Sequence, residues 1–355
     1  MNQYEQPTSG RRDYQSLWAL RSIGLVLGLT AVAHGEPQIP SEDRQSEAAV
    51  STQTAGRVDE YVSHWCQQLL DAPDSKVRGA AEMLAEPLRA VGADTFKAAY
   101  SARCSNQLDE VLKSKRVVVR INAMIAVGSL VDRGALELIE TGLADASPGV
   151  RFHAGGAMAR FAQENSLGAD DQRATVEHLS GACRDESFQL VLEQLIGALG
   201  SLSVDEAQDA LLDVVNKRVD VHMADPALPV SAEYDGLRKL FRRLVMKGDV
   251  RRPLAERMIV VAFRYMCVSA KLLPQEMPDA VHEDYIGMMR LCDAILHHYA
   301  KALDKKVVLP AKLDARASDQ DALLRCAEWE TLLQNQLGFK ADQLAIMLVG
   351  DGRDR

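Results

Sequence analysis

Residues 143–161 read LADASPGVRFHAGGAMARF, and this stretch decides how the chain is parsed. Asp145 sits in a polar turn. Pro148 can open a helix, because its missing N–H falls where a helix has no internal partner anyway. Val150, Ala154, Ala157, Met158 and Phe161 then recur on one side, predicting an amphipathic helix with a small-residue face that a neighbouring helix can approach closely.

Imperfect copies lie on either side. Residues 69–88, LLDAPDSKVRGAAEMLAEPL, place Asp71 in a turn one residue longer and follow it with Val77, Arg78, Ala80 and Ala81. Residues 112–130, LKSKRVVVRINAMIAVGSL, keep Val119, Arg120, Ala123 and Ala126 but have Ser114 at the Asp position. In residues 183–202, CRDESFQLVLEQLIGALGSL, Asp185 stands five positions before Leu190, and Val191 replaces the Arg. Taking Val77, Val119, Val150 and Leu190 as equivalent, the intervals are 42, 31 and 40 residues, against a period of roughly 40 to 47 for stacked helix pairs. Apolar stretches at 107–112, 135–143 and 173–182 supply partner helices. A fifth pair is read at 204–216 and 232–247, across a loop containing Pro226 and Pro229.

This turn-and-helix unit resembles the second helix of a HEAT-like repeat. The resemblance implies an all-α fold, an α-solenoid of stacked helix pairs over residues 58–248 that presents a long surface to a protein partner. It also implies that Asp71, Arg78, Arg120, Asp145, Arg151 and Asp185 brace turns against neighbouring helices instead of serving catalysis. Bilin lyases and related modification enzymes have similar repeats, which makes a small-molecule-modifying enzyme the alternative to a non-catalytic scaffold.

At the N-terminus, Arg11, Arg12 and Arg21 precede an apolar run over residues 23–33 that ends in Ala31-Val32-Ala33. A basic flank, a short apolar run and a small-x-small end predict a secretory signal peptide, residues 1–33, cleaved before His34. The run is shorter than the roughly 20 residues a spanning helix needs. Export would leave the protein periplasmic or secreted. Residues 34–57 are polar and predict a flexible linker.

Residues 249–355 lack the repeat motif. From Met258 to Val268 the chain is apolar nearly all round, which predicts a central buried helix beginning at Pro253. Further helices are expected from Asp279 to about Leu303, from Ser318 to about Gly338, and over residues 343–349. Together they predict a C-terminal helical bundle capping the solenoid.

The net charge of -9 argues against a protein dominated by nucleic-acid binding. One segment opposes it. Residues 232–257 hold eight Lys or Arg against four acids, and within it Arg238, Lys239, Arg242, Arg243 and Lys247 are read as the polar face of a helix whose apolar face carries Leu237, Leu240, Phe241, Leu244 and Val245. Clustered cations suit an anionic partner, whether an acidic protein, a phospholipid headgroup at a membrane surface or a polymer. An ordinary solvated face is the plainer alternative.

No metal or cofactor site is expected. His297 and His298 point about 100° apart on a helix, and Cys292 lies on another face. Cys66, Cys104, Cys183, Cys267, Cys292 and Cys326 form no CxxC pattern. Export permits disulfides, but spacing cannot assign partners, and buried free thiols at Cys66 and Cys183 fit equally well.

Overall fold

Alternation between two layers of helices builds the protein. The computed structural model describes residues 36–89, 92–130, 132–164, 167–313 and 319–345, so the signal-peptide residues and the expected cleavage point lie outside the described residues. From Ile39 on, the described residues form one compact unit. It is an all-α solenoid, with fifteen helices and no strand among the described residues.

After a short α1 (Ser41–Gln45), the first layer consists of α2 (Thr52–Asp71), α4 (Asp94–Leu112), α6 (Arg133–Leu143), α8 (Ala169–Asp185), α10 (Asp205–Ala224) and α12 (Arg252–Leu272). The second consists of α3 (Asp74–Arg89), α5 (Val117–Val127), α7 (Pro148–Glu164), α9 (Gln189–Ser201), α11 (Ser231–Lys247) and α13 (Asp279–Leu303). Each second-layer helix packs on the preceding first-layer helix and on the next second-layer helix. All four sequence copies fall in the second layer. Their anchors Val77, Val119 and Val150 are fully buried.

The fourth copy corrects the alignment by one residue. Leu190 is 66% exposed, whereas Val191 is buried, so Val191 is the residue equivalent to Val150. The matching acid is Glu186, not Asp185.

That shift exposes a ladder of charges running from turn to turn. Arg120 grips Asp145 with two nitrogens, at 2.7 and 3.1 Å, and Asp145 accepts the Ser147 N–H at 2.7 Å. Arg151 grips Glu186 in the same way, at 2.7 and 3.0 Å, while its remaining nitrogen donates to the Asp145 and Ala146 carbonyls. Glu186 in turn accepts the Ser187 and Phe188 N–H groups that open α9. Burial works to raise both carboxyls, but the arginines and backbone donors outweigh it and hold Asp145 and Glu186 below their ordinary values. Asp71 and Arg78 stay outside the ladder, each bonded to a residue of its own helix. With Ser114 at the acid position, Arg116 serves that junction instead, donating to the Leu70 and Ala72 carbonyls and to Asp74.

The small-residue face of α7 does what its composition implies. A Cβ on Gly155 would stand 2.8 Å from the Gln194 Cβ of α9, and one on Gly236 of α11 would stand 2.4 Å from Ile196 Cγ2. These side-chain-free positions let the second-layer backbones approach.

Two expectations change. The linker read over residues 34–57 is ordered from Ile39 onward. Ile39 is buried, Asp43 accepts from Thr54 and Arg57, Arg44 pairs with Glu86, and its carbonyl accepts the Ala93 N–H. Ser51 then caps α2, seven residues before the apolar periodicity begins at Val58. A single apolar anchor and a few paired charges suffice to dock a segment whose composition reads as a tether. At the other end, stacking continues past residue 248, because α12 lies on α10 and α13 on α11. α12 is buried along nearly its whole length, so it needs neighbours on every side and does not need the repeat motif to find them. α14 (Asp319–Asn335) and α15 (Ala341–Leu344) then close the array on α12.

Cys267 of α12 and Cys326 of α14 form a disulfide with a Cα–Cα separation of 5.7 Å, within the usual range. Cys66, Cys104, Cys183 and Cys292 are buried free thiols. Among the described residues no helix is long and apolar enough to cross a membrane.

Ala154 is fully buried, and its Cβ would lie only 3.0 Å from a Cβ placed on Gly142 of α6. Ala154→Leu is therefore expected to destabilise the fold by about 1 to 3 kcal/mol through overpacking, which thermal melting would show as a lowered midpoint.

Candidate functional site

Helix α11 carries all five cations singled out from the sequence, and its own residues explain its orientation. Ala232, Gly236, Leu237, Leu240 and Leu244 are buried against the neighbouring helices. The helix ends at Gly248, whose φ of 64° is the left-handed conformation that favours glycine. Its N–H and that of Asp249 satisfy the last carbonyls of the helix.

This orientation divides the cations. Arg238 is exposed, pairs with Asp235 at 2.8 Å and lies 5.4 Å over the Tyr234 ring. Lys239 reaches over α9, its stem beside Gly200 and its ammonium beside Gly197. Lys239, Arg242 and Lys247 are exposed, and none of them forms an ion pair among the described residues. Arg243 behaves differently. It is half-buried and donates to the Gly200 and Leu202 carbonyls at 3.0 and 2.7 Å, closing the C-terminus of α9. Burial pushes its guanidinium below its ordinary value. It is a brace, and its place three residues past Leu240 and one before Leu244 was the sequence signal for an inward flank. Val245, assigned to the apolar face, is 42% exposed, and Met246 at 85% and Val250 at 46% join it at the tip. These apolar side chains stand among the cations at the tip, outside the buried stripe that helical periodicity marks.

Beneath this surface lies a buried polar network that periodicity could not show. Arg218 of α10 donates to Glu233 of α11, and His222 Nε2 lies 3.1 Å from the same carboxylate. The Tyr285 hydroxyl of α13 is 3.1 Å from His222 Nδ1 and donates to the Leu228 carbonyl. His222 and Glu233 are wholly enclosed, so no substrate reaches them, and the network fastens α10, α11 and α13 together. Burial works to raise the Glu233 carboxyl, but His222 and Arg218 outweigh it and hold it below the ordinary value.

The two adjacent histidines of α13, His297 and His298, are engaged structurally. His297 is bonded to the Asp293 and Pro310 carbonyls, and the Asp293 carboxylate also accepts the Trp329 indole N–H. His298 packs edge-on against Phe241, and burial lowers its pKa. Cys292 is in the core. Among the described residues no three His, Cys, Asp or Glu side chains converge as metal ligands would.

Fold and surface together define a helical-repeat solenoid with a cationic face on one second-layer helix. No family model matches the chain, and no curated protein matches its sequence. Among solved structures it is similar to an engineered protein, at 16% identity and a TM-score of 0.38, covering 66% of this chain and 97% of the other. It is also similar to a designed armadillo repeat protein, at 14% identity and a TM-score of 0.35, covering 67% and 99%. A third is Kap121p bound to Pho4p, at 14% identity and a TM-score of 0.41, where the match covers 80% of this chain and 33% of the other.

The lowered carboxyls set the response to acid. A group whose folded pKa lies below its unfolded value contributes stability above the unfolded value and loses it as pH falls through the folded one. Glu186 and Glu233 start from an ordinary 4.5 and Asp145 from 3.8, so stability should be full above these values and fall as pH drops below them. Urea midpoints measured between about pH 6 and 3 should decline, and Glu233→Gln should make the decline shallower. A wild-type midpoint that stays level through this range would contradict the assignment.

Proposed function

We propose that the protein is a non-catalytic, protein-binding scaffold of the cell envelope, docking an acidic partner on the outer face of α11. The observation that carries this reading is the unequal use of charge. The repeat-motif cations Arg120 and Arg151 are consumed by internal carboxylates, whereas Lys239, Arg242 and Lys247 stand exposed with no ion pair among the described residues, Lys247 feeling Asp205 and Asp249 only at longer range. Residues 238–252 hold seven Lys or Arg against one acid, a concentration of positive potential that attracts an acidic surface over distance. Met246, Val245 and Val250 supply apolar contact among those charges, the combination that binding surfaces use for affinity beside steering.

Residence in the envelope is supported by the basic flank, apolar run and Ala31-Val32-Ala33 end of the N-terminal segment. A disulfide between Cys267 and Cys326 suits an oxidising compartment. Edman sequencing of the exported protein is expected to begin at His34. A mature chain starting near Met1 would overturn this.

Crosslinking in the native envelope identifies the partner, after which association can be measured by stopped flow. Replacing Lys239, Arg242 and Lys247 with Gln is expected to slow association by about tenfold or more at low salt. The difference should shrink near physiological ionic strength, where the Debye length is about 8 Å. Stability should stay within about 0.5 kcal/mol, as for ordinary surface changes. Arg243→Gln should do the reverse, lowering stability while leaving association unchanged. Equal association of the triple variant and wild type at low salt would remove α11 from the docking surface.

A further inference from the structure

A cleft of about 670 Å3 opens between α10, α12 and the segment that joins α14 to α15. Its size falls within the range of roughly 300 to 1,000 Å3 typical of small-molecule sites. α11 contributes no residue to it, so it is separate from the cationic face.

Three elements supply an apolar lining, Leu212 from α10, Val260 and Val261 from α12, and Leu337 and Phe339 from the connecting segment. The polar groups around them are unbalanced. Asp213 is held by Arg257 at 2.7 Å, and Glu256 by the Arg252 Nε at 2.7 Å. Both carboxylates on the cleft are thus neutralised by arginine. Among the described residues Lys340 forms no ion pair, and Arg252 meets Glu256 through Nε, its two terminal nitrogens making no bond to a described carboxylate. What remains is an apolar trough edged by one cation, Lys340, that no described carboxylate offsets, with the outer nitrogens of the paired Arg252 beside it.

The wall is held in place before any ligand arrives. Gly338, at a φ of 76°, makes the turn that brings Phe339 inward, and the Phe339 N–H donates to the Leu333 carbonyl at 3.0 Å. Phe339 is buried. The Cys267–Cys326 disulfide ties α14, from which the wall extends, to α12, which forms the floor. A preformed site binds without the cost of ordering its own wall.

We propose that this cleft binds a single-chain amphiphile with an anionic head, such as a fatty acid. Its chain lies along Val260, Leu337 and Phe339, and its carboxylate meets Lys340 and the outer nitrogens of Arg252. Charge-assisted hydrogen bonds of this kind select the anion over a neutral head, while the trough selects the chain.

Titration calorimetry with monomeric decanoate, on the disulfide-intact protein, tests the assignment. Saturable one-to-one binding is expected, weakened about tenfold or more by Lys340→Glu and likewise for the uncharged 1-decanol. Val260→Trp should abolish it by filling the trough. Phosphatidylglycerol vesicles form a separate arm, since a lipid surface offers acyl chains and anionic heads without a free acid. Circular dichroism and melting precede each titration. If Val260→Trp does not fold, Lys340→Glu, at an exposed position, decides. Absence of saturable decanoate binding, equal binding of decanoate and 1-decanol, an unweakened Lys340→Glu variant, or binding to vesicles alone would each overturn the proposal.

Discussion

The grip of Arg151 on Glu186 sets one helix pair in register on the next. It spans 35 residues of sequence, closes with two parallel hydrogen bonds, and leaves Glu186 almost wholly enclosed. A carboxylate withdrawn from water in this way must be paired, because breaking such a contact from one side costs about 3 to 5 kcal/mol. The planar guanidinium matches the carboxylate fork where an ammonium could not. Its third nitrogen reaches the carbonyl of Asp145, the residue that Arg120 holds from the pair before. Helix ends that would otherwise leave unsatisfied backbone groups are thereby stitched across three turns.

Around this ladder, the spacing between helices is decided by what is missing. Gly155 and Gly236 occupy positions where even a Cβ would collide with Gln194 or Ile196. Second-layer helices α7, α9 and α11 therefore close on one another. The ladder stops where Leu192 follows Val191, and fastening passes to other means. Arg243 closes the end of α9, and the enclosed network of Arg218, Glu233, His222 and Tyr285 joins three helices. Beyond that, apolar contact with α12, buried along most of its length, takes over. Electrostatic bracing thus gives way to burial along the chain, without a break in the stacking.

This internal use of charge shapes the functional reading. Cations spent on turns contribute little field outside the protein, because each sits against a carboxylate. Those left unspent on α11 are concentrated on one helix, and their field extends outward against an acidic background. The cleft at the C-terminal end follows the same logic at smaller scale. Arginines there pair with the local acids, and Lys340, which no described carboxylate offsets, stands at the edge of an apolar trough.

Local pattern determined a great deal of this by itself. The helices of the array, their alternation in pairs, the small-residue face of α7 and the buried character of α12 were legible because side chains three and four residues apart share a helical face whatever the surroundings. The turn-bracing role of Arg120, Asp145 and Arg151 followed from resemblance to a known repeat. What escaped had a common cause. Asp185 and Glu186 are neighbours of the same chemistry, and which one meets Arg151 depends on how the turn before α9 is presented to a helix 35 residues away. Arg243 and Arg242 are equally cationic, and only the position of α9 makes one a brace and leaves the other exposed. The pairing of Cys267 with Cys326, the docking of residues 39–51 and the meeting of Glu233 with His222 and Tyr285 are likewise contacts between distant segments. Periodicity says which way a side chain points from its own helix, but the identity of what it meets is decided by packing between helices.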